Sequence, residues 1–333
     1  QFATRNWRLT PPAALASAKL LTRPPARDTL QLRILTINDF HGALEPKVHG
    51  WSDGRMVGGA AAVDATMDSL AARCNCTTLR LDAGDEMQGT LPSNLAYGRT
   101  TIEALDLMGI QAAAVGNHDF DWSADTLRAR MRDSDYPWVA ANIFDSTTGK
   151  RPDWVMPWRM VRAGKYQVAV VGFITSETKQ IVAPQNIARL TFGAGYQPIR
   201  DAVAEARSAG PDLLVLLAHA GGRCDSVSCA GEIFDLADSL PAGSVDLIVS
   251  GHSHTLLDAE RNGIPIVQAR SSGTAVGVVD VIKTAEGGRK FDVDVRTVWV
   301  DQVTPDSALS ALVARAVRTT DSLANRVITD IAL

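Results

Sequence analysis

No run of this 333-residue sequence is apolar for long enough to cross a bilayer. Basic residues are not in excess either: 33 Lys and Arg stand against 37 Asp and Glu, for a net charge of −4. Without a basic field, non-specific retention of a nucleic-acid polymer is excluded. Internal repeats and low-complexity tracts are also missing. Cysteine is sparse, with four residues in two close pairs, Cys74 with Cys76 and Cys224 with Cys229. Neither pair forms a C-x-x-C or has the spacing of a zinc knuckle. Two readings stay open, local disulfides in an oxidising compartment or free buried thiols in a reducing one. A Cys224–Cys229 bridge would close a Gly/Ser-rich loop after a strand, whereas a Cys74–Cys76 ring would be small and strained. Asn75-Cys76-Thr77 also fits the N-x-T glycosylation pattern, a weak match. The chain opens at Gln1 rather than Met, a start that fits a processed or trimmed protein.

What is present is ample core: 46% of residues are hydrophobic and 21% charged, the balance of a globular protein. Residues 1–29 are punctuated by Pro and Arg and read as a surface-hugging arm. Strands are expected at "LQLRILTI" (30–37), "TTLRLDAGD" (77–85), "IQAAAVGN" (110–117), "YQVAVVGFI" (166–174), "PDLLVLLAH" (211–219) and "VDLIVSGHSH" (245–254). Each is almost continuously apolar, as strands covered on both faces are. Helices are expected at 58–73, 99–109, 196–209, 231–239 and 305–327, the second ended by a glycine cap. Between 264 and 300, three strand-like runs follow one another without helices, which suggests a more antiparallel set.

The polar residues fall at recurring places. Asp39 and His41 follow the first strand in "NDFHG", Asp85 follows the second in "GDEMQG", and Asn117, His118, Asp119 and Asp121 follow the third in "GNHDFD". His219 ends the "PDLLVLLAH" strand, and His252 and His254 follow the next in "GHSH". Ligands of open α/β sheets gather outside the carboxyl ends of the strands. A lone Asp after a strand is more often a cap or turn residue, and a lone His there is more often a hydrogen-bonded rim residue. Five of the six histidines belong to this set, and for Asp39, His41, Asp85, Asn117, His219, His252 and His254 to collect after five successive strands by accident is the poorer account. Mixed carboxylate, imidazole and amide ligands suit Mn²⁺, Zn²⁺, Fe²⁺ or Co²⁺. Seven ligands are too many for one ion that also holds a water, but two ions ~3.5–4 Å apart sharing a carboxylate would use them all.

"LTINDFHG", "DAGDEMQG", "GNHDFD", "AHAGG" and "GHSH", in that order, resemble the catalytic domain of calcineurin-like metallophosphoesterases. "NDFHG" and "GNHDFD" are most similar to the 5′-nucleotidase branch, and the resemblance runs from about Leu32 to the end of the chain. It implies an α/β fold, a four-layer α/β/β/α sandwich with mixed sheets. It also implies two divalent ions, Mn²⁺, Zn²⁺ or similar. One would be held by Asp39, His41, Asp85 and His254, the other by Asp85, Asn117, His219 and His252, with Asp85 shared. His118 and Asp121 would form a catalytic dyad, with Asp119 a structural neighbour. The implied reaction is hydrolysis of phosphate esters, 5′-nucleotides above all, by a metal-bound hydroxide assisted by that dyad. The implied partner is a small-molecule phosphate ester rather than a nucleic-acid polymer, and the implied location is the periplasm, the cell surface or outside the cell. Rival activities are 2′,3′-cyclic phosphodiester, nucleotide-sugar or thiosulfate-ester hydrolysis, and a binding protein with a vestigial site. Related proteins carry a further C-terminal domain that stacks the base. By that analogy 30–327 is the catalytic domain and 328–333 begins a junction. Trp51, Trp122 and Trp138 are candidates for a substrate rim, although tryptophans are more often simply packed.

Overall fold

Alternation within each strand decides which layer a side chain enters. In β1 (Thr29–Ile37), Leu32 and Ile34 point into an apolar layer shared with a second sheet, whereas Leu35 and Ile37 point the opposite way, towards helices. The computed structural model describes residues 28–324 apart from residue 194. Most of the expected arm and all of the expected junction therefore lie outside the described residues, while Thr29, assigned to the arm, already belongs to β1.

Two six-stranded sheets form the centre. The first contains β1, β2 (Thr77–Asp82), β3 (Ala112–Ala114) and β4 (Trp138–Val139), each parallel to the next. The second is built on β5 (Trp158–Ala163), β6 (Tyr166–Ile174), β7 (Leu213–His219), β8 (Leu247–Ser250), β9 (Leu256–Arg261) and β10 (Ile264–Ala269). Its order is β9-β10-β8-β7-β6-β5, with β6, β7, β8 and β10 parallel and both edge strands antiparallel. The chain then returns to the first sheet through β11 (Ala275–Lys283), antiparallel to β1, and β12 (Arg289–Thr297) at its edge. The run 264–300 is thus not one antiparallel set. Its strands are mostly antiparallel, as expected, but divided between the sheets: β10 forms a hairpin with β9 and lies parallel to β8 on its other side in the second sheet, while β11 and β12 form a hairpin in the first. Which sheet a strand joins depends on distant partners, and local composition is silent on that.

Helices cover both outer faces. α1 (Ala60–Ala72), α2 (Arg99–Leu107), α3 (Ala124–Asp133) and α6 (Ser307–Ala324) pack Val63, Met67, Ile102, Leu127 and Leu309 on the first sheet. α4 (Gln197–Ser208) and α5 (Glu232–Ser239) pack Ile199, Val203, Ile233 and Leu236 on the second. Between the sheets, Leu81, Ala114, Val170, Val215, Leu217 and Val249 form a dry layer. The result is the α/β/β/α sandwich with mixed sheets. α2 ends where Gly109 turns to φ +68° and the Ile110 amide reaches back to Leu105 O at 3.2 Å. α3 begins at Ser123, whose hydroxyl accepts the Thr126 amide at 3.0 Å. At one edge the sheets nearly touch, because a side chain at Gly172 would strike the Val139 carbonyl.

Cys224 and Cys229 are register partners in a short exposed hairpin, with Cα atoms 4.0 Å apart and their sulfurs bonded. Cys74 and Cys76 are bonded as well, and no free cysteine remains among the described residues.

Candidate active site

The carboxyl ends of β1, β2, β3, β7 and β8 deliver the polar residues to one place. Several do so from unusual backbone: Asp39, His41, Asp85, His252 and His254 all have positive φ, between 49° and 73°. Non-glycine residues hold this region at a cost and persist there only where surrounding contacts over-determine them. Those contacts are visible. The Asp39 amide donates to Gly84 O (2.8 Å), the His41 amide to Asp85 O (3.0 Å), and the His252 amide to both Asp39 carboxylate oxygens (3.0 and 2.9 Å). Gly116 must be glycine, because a Cβ there would strike Asp85.

Asp39, Asp85, Asn117 and His219 are fully buried, while His41 and His252 are partly covered. The cluster opens to solvent at His254 and His118, whose side chains are 46% and 34% exposed. His254 Nε2 lies 3.2 Å from Asp39 Oδ1 and 3.0 Å from His41 Nε2. His219 Nε2 lies 3.1 Å from both Asp85 Oδ2 and Asn117 Oδ1. His41 Nε2 is 3.8 Å from Asp85 Oδ2 and 4.0 Å from Asp39 Oδ1. Two groups with ligating spacing result: Asp39, His41 and His254, and Asp39, Asp85 and His219. Asp39 belongs to both, whereas Asp85, the shared carboxylate that the resemblance implies, belongs to one. His252 belongs to neither; its Nε2 lies 3.1 Å from Glu177 Oε2, although its ring is centred 5.3 Å from that of His219.

The donor set fits divalent cations. His41 Nδ1 sits 2.7 Å from Gln88 O and His219 Nδ1 2.9 Å from Ala83 O, so carbonyls take the Nδ1 protons and leave both Nε2 lone pairs facing the carboxylates. Acceptors crowded on acceptors call for positive charge between them. The same crowding shows in the electrostatics: burial resists a charge on His219, yet Asp85 and Asp39 outweigh it and push that imidazole up to about 10, a proton on Nε2 standing where a cation would replace it. Burial also opposes ionisation of Asp85, but His219, His41 and His118 hold its carboxyl below the usual range.

His118 stands apart from the ligating groups. Its amide donates to Asp85 Oδ1 at 2.7 Å, and its Nδ1 lies 2.8 Å from Asp121 Oδ2. That hydrogen bond raises His118 above its ordinary value, against partial burial. Asp119 turns away and accepts the amides of Gly116 (2.9 Å), Glu86 (3.0 Å) and Asp85 (3.2 Å), tying the loops after β2 and β3 together. Its burial, with the charge of Asp85, pushes its carboxyl up to about 7. Trp51 is 45% exposed, Trp138 is packed away, and Trp122 is half-buried with Tyr97 at its edge.

Sequence reasoning missed two polar neighbours. Asn38 donates to Asp39 Oδ2 (2.7 Å) and to Arg270 O (2.6 Å), and its own Oδ1 accepts the Ala269 amide (2.7 Å). Glu177 reaches His252 from the loop after β6. Asn38 stood beside Asp39 in the motif and could have been singled out as a support for it; Glu177 gave no local signal.

Comparison with known proteins agrees with this geometry. A 5′-nucleotidase of Vibrio cholerae is 30% identical over 281 residues, covering 77% of this chain and 49% of its own length. Endonuclease YhcR of Bacillus subtilis is 29% identical over 315 residues, covering 87% of this chain and 25% of its own length. The chain therefore spans about half, or less, of the curated relatives it matches. The solved 5′-nucleotidase precursor of Thermus thermophilus superposes with a TM-score of 0.75 at 27% identity, covering 90% of this chain and 61% of that one. The calcineurin-like phosphoesterase family matches residues 32–256, the span that holds every residue of the cluster, and the chain belongs to that family of metal-dependent phosphoester hydrolases.

Proposed function

We propose that this domain hydrolyses phosphate monoesters, with 5′-nucleotides as the substrate class, and that two divalent ions, Mn²⁺ or Zn²⁺, serve it. Asp39, His41, Asp85, Asn117, His219, His252 and His254 would hold them. The observation that carries the reading is the convergence of carboxylate and imidazole acceptors around Asp39 and Asp85, with an Asp-paired histidine at the open side. Bound there, such ions supply Lewis acidity towards phosphoryl oxygens and lower the pKa of a coordinated water to ~7.

The chain's own residues do the rest. Asp121 accepts from Nδ1 of His118, which fixes the ring and favours its protonated form. The second ring nitrogen is left for the substrate, where it can stabilise developing charge or donate a proton to the leaving oxygen. Phosphoryl transfer needs alignment and charge stabilisation more than covalent help, and the buried, hydrogen-bonded carboxylates provide a fixed frame for both. Nucleotides as substrates draw support from the named activities of the relatives in Vibrio and Thermus. Export to an oxidising compartment draws support from the two cysteine pairs. Among the described residues no helix is long and apolar enough to cross a membrane.

The test is phosphate release from AMP and from an aryl phosphate by Mn²⁺- or Zn²⁺-loaded protein, beside His118→Ala. Metal-dependent release that the substitution lowers about 10²–10³-fold supports the reading. Loaded protein that releases no phosphate, or a variant as active as the parent, overturns it.

A further inference from the structure

Two arginines lie against one aromatic cluster next to the site, and only one has its charge answered. His49 stacks on Trp51 with ring centres 5.4 Å apart, and Trp51 meets Trp299 edge-on at 5.9 Å. Arg55 sits 3.7 Å over Trp299 and is bound on two nitrogens by Asp301, at 2.8 and 2.5 Å. Arg270 sits 5.2 Å over Trp51. Its Nε is buried without a partner, and among the described residues no group accepts a hydrogen bond or forms an ion pair with its guanidinium. A partly buried, unanswered guanidinium is costly to hold.

The backbone of Arg270 is fixed as firmly as the ligand loops. It has φ +57°, its amide donates to Thr255 O (3.0 Å) beside His254, and its carbonyl accepts from Asn38 (2.6 Å) beside Asp39. Two residues on, the Ser272 amide donates to Asp39 O at 2.7 Å. Arg270 is therefore anchored to the two segments that carry His254 and Asp39. The guanidinium itself pairs with neither Asp39 nor Asp85. One donor, the Asn38 side-chain amide, serves both the Arg270 carbonyl and Asp39 Oδ2, and that sets the Arg270 backbone beside the cluster.

We propose that Arg270, seated on Trp51, is a specificity residue that takes oxygens of a second phosphate adjoining the scissile one, as in a nucleoside diphosphate. The planar guanidinium suits bidentate binding of phosphate, and the indole face holds it without neutralising it. The assignment rests on the phosphate-ester reading above and extends it from the ester bond of a monophosphate to the anhydride bond of a diphosphate: water adds at the terminal phosphorus, the P–O–P bond breaks, and the nucleoside monophosphate leaves with inorganic phosphate as the other product.

The experiment compares the metal-loaded parent, Arg270→Ala, Arg270→Lys and Trp51→Leu with ADP, AMP and an aryl monophosphate. Arg270→Ala is expected to raise KM for ADP about tenfold more than KM for the aryl phosphate, with the larger change in KM rather than kcat. Arg270→Lys should recover part of the loss, and Trp51→Leu should show a smaller loss in the same direction. Equilibrium binding of ADP and AMP to His118→Ala and to His118→Ala/Arg270→Ala gives a readout free of turnover. There the preference for ADP should fall about tenfold. An equal loss for both nucleotides, or none, overturns the role of Arg270. Absence of turnover with every ester in the parent would overturn the hydrolase reading instead, and the binding ratio would still decide the role of Arg270. Should Arg270→Ala fail to fold, the Lys and Leu variants carry the comparison.

Discussion

His118 Nδ1 lies 2.8 Å from Asp121 Oδ2, and this hydrogen bond holds the imidazole above its ordinary value. A proton donor with a raised pKa works until the pH climbs through that value. Removing the carboxylate charge in Asp121→Asn lowers it, so the alkaline limb of the pH–rate profile is expected to move to lower pH. Maximal activity should also drop, by about 10²-fold, because the ring loses its orientation as well as its charge. An unshifted alkaline limb would separate Asp121 from the proposed proton donor.

Asp39 belongs to both ligating groups, whereas His254 belongs to one. Metal analysis at saturating Mn²⁺ or Zn²⁺ is therefore expected to find about two ions per chain in the parent and about one in His254→Ala. Asp39→Asn is expected to retain fewer than either. Equal retention in the two variants would contradict the sharing of Asp39.

Treatment with a strong chelator should abolish phosphate release, and added Mn²⁺ or Zn²⁺ should restore it. Full activity after exhaustive chelation, with metal absent by elemental analysis, would remove the cations from the reaction.

Leu217 sits fully buried on β7 in the layer between the sheets. Leu217→Ala is expected to cost about 2–5 kcal/mol, because the layer is held from both sides and cannot collapse to fill the cavity. Urea unfolding measures the loss, and a value under about 1 kcal/mol would mean that the layer is looser than the packing implies.

The Cys224–Cys229 bridge closes a short loop in an exposed hairpin. Cys224→Ser with Cys229→Ser should lower stability by about 2 kcal/mol at most, the loop-closure value for so short a ring. Phosphate release should be largely kept. Thiol titration of the unreduced parent under denaturing conditions should find no free thiol.

Much of this architecture was legible because both faces of the central strands are buried. Runs such as "YQVAVVGFI" and "LLVLLAH" could hardly be anything else, and the abrupt change from Val or Leu to Asp or His marked where each strand met the site. Sheet membership was not legible. Ile264–Ala269 looks antiparallel and does pair so with Leu256–Arg261, but its other edge runs parallel to Leu247–Ser250 in the second sheet through contacts that no local pattern records. The same limit hid Glu177 and Arg270. Each lies in a segment whose composition is ordinary, and only the folded chain brings Glu177 to His252 or places Arg270 over Trp51. Exposure of Trp51, as against the packing of Trp138, likewise depends on which layer lies above each ring.

Asp119 clasps three amides drawn from the turns after β2 and β3. One of those turns bears Asp85, proposed as a metal ligand, and the other bears Asn117 and His118, the proposed proton donor. The clasp makes them a single mechanical part, so a change that shifts one drags the other with it. Redesign of the metal preference through Asp85 alone would disturb proton delivery at the same stroke, and a variant with new chemistry would have to exchange both turns together.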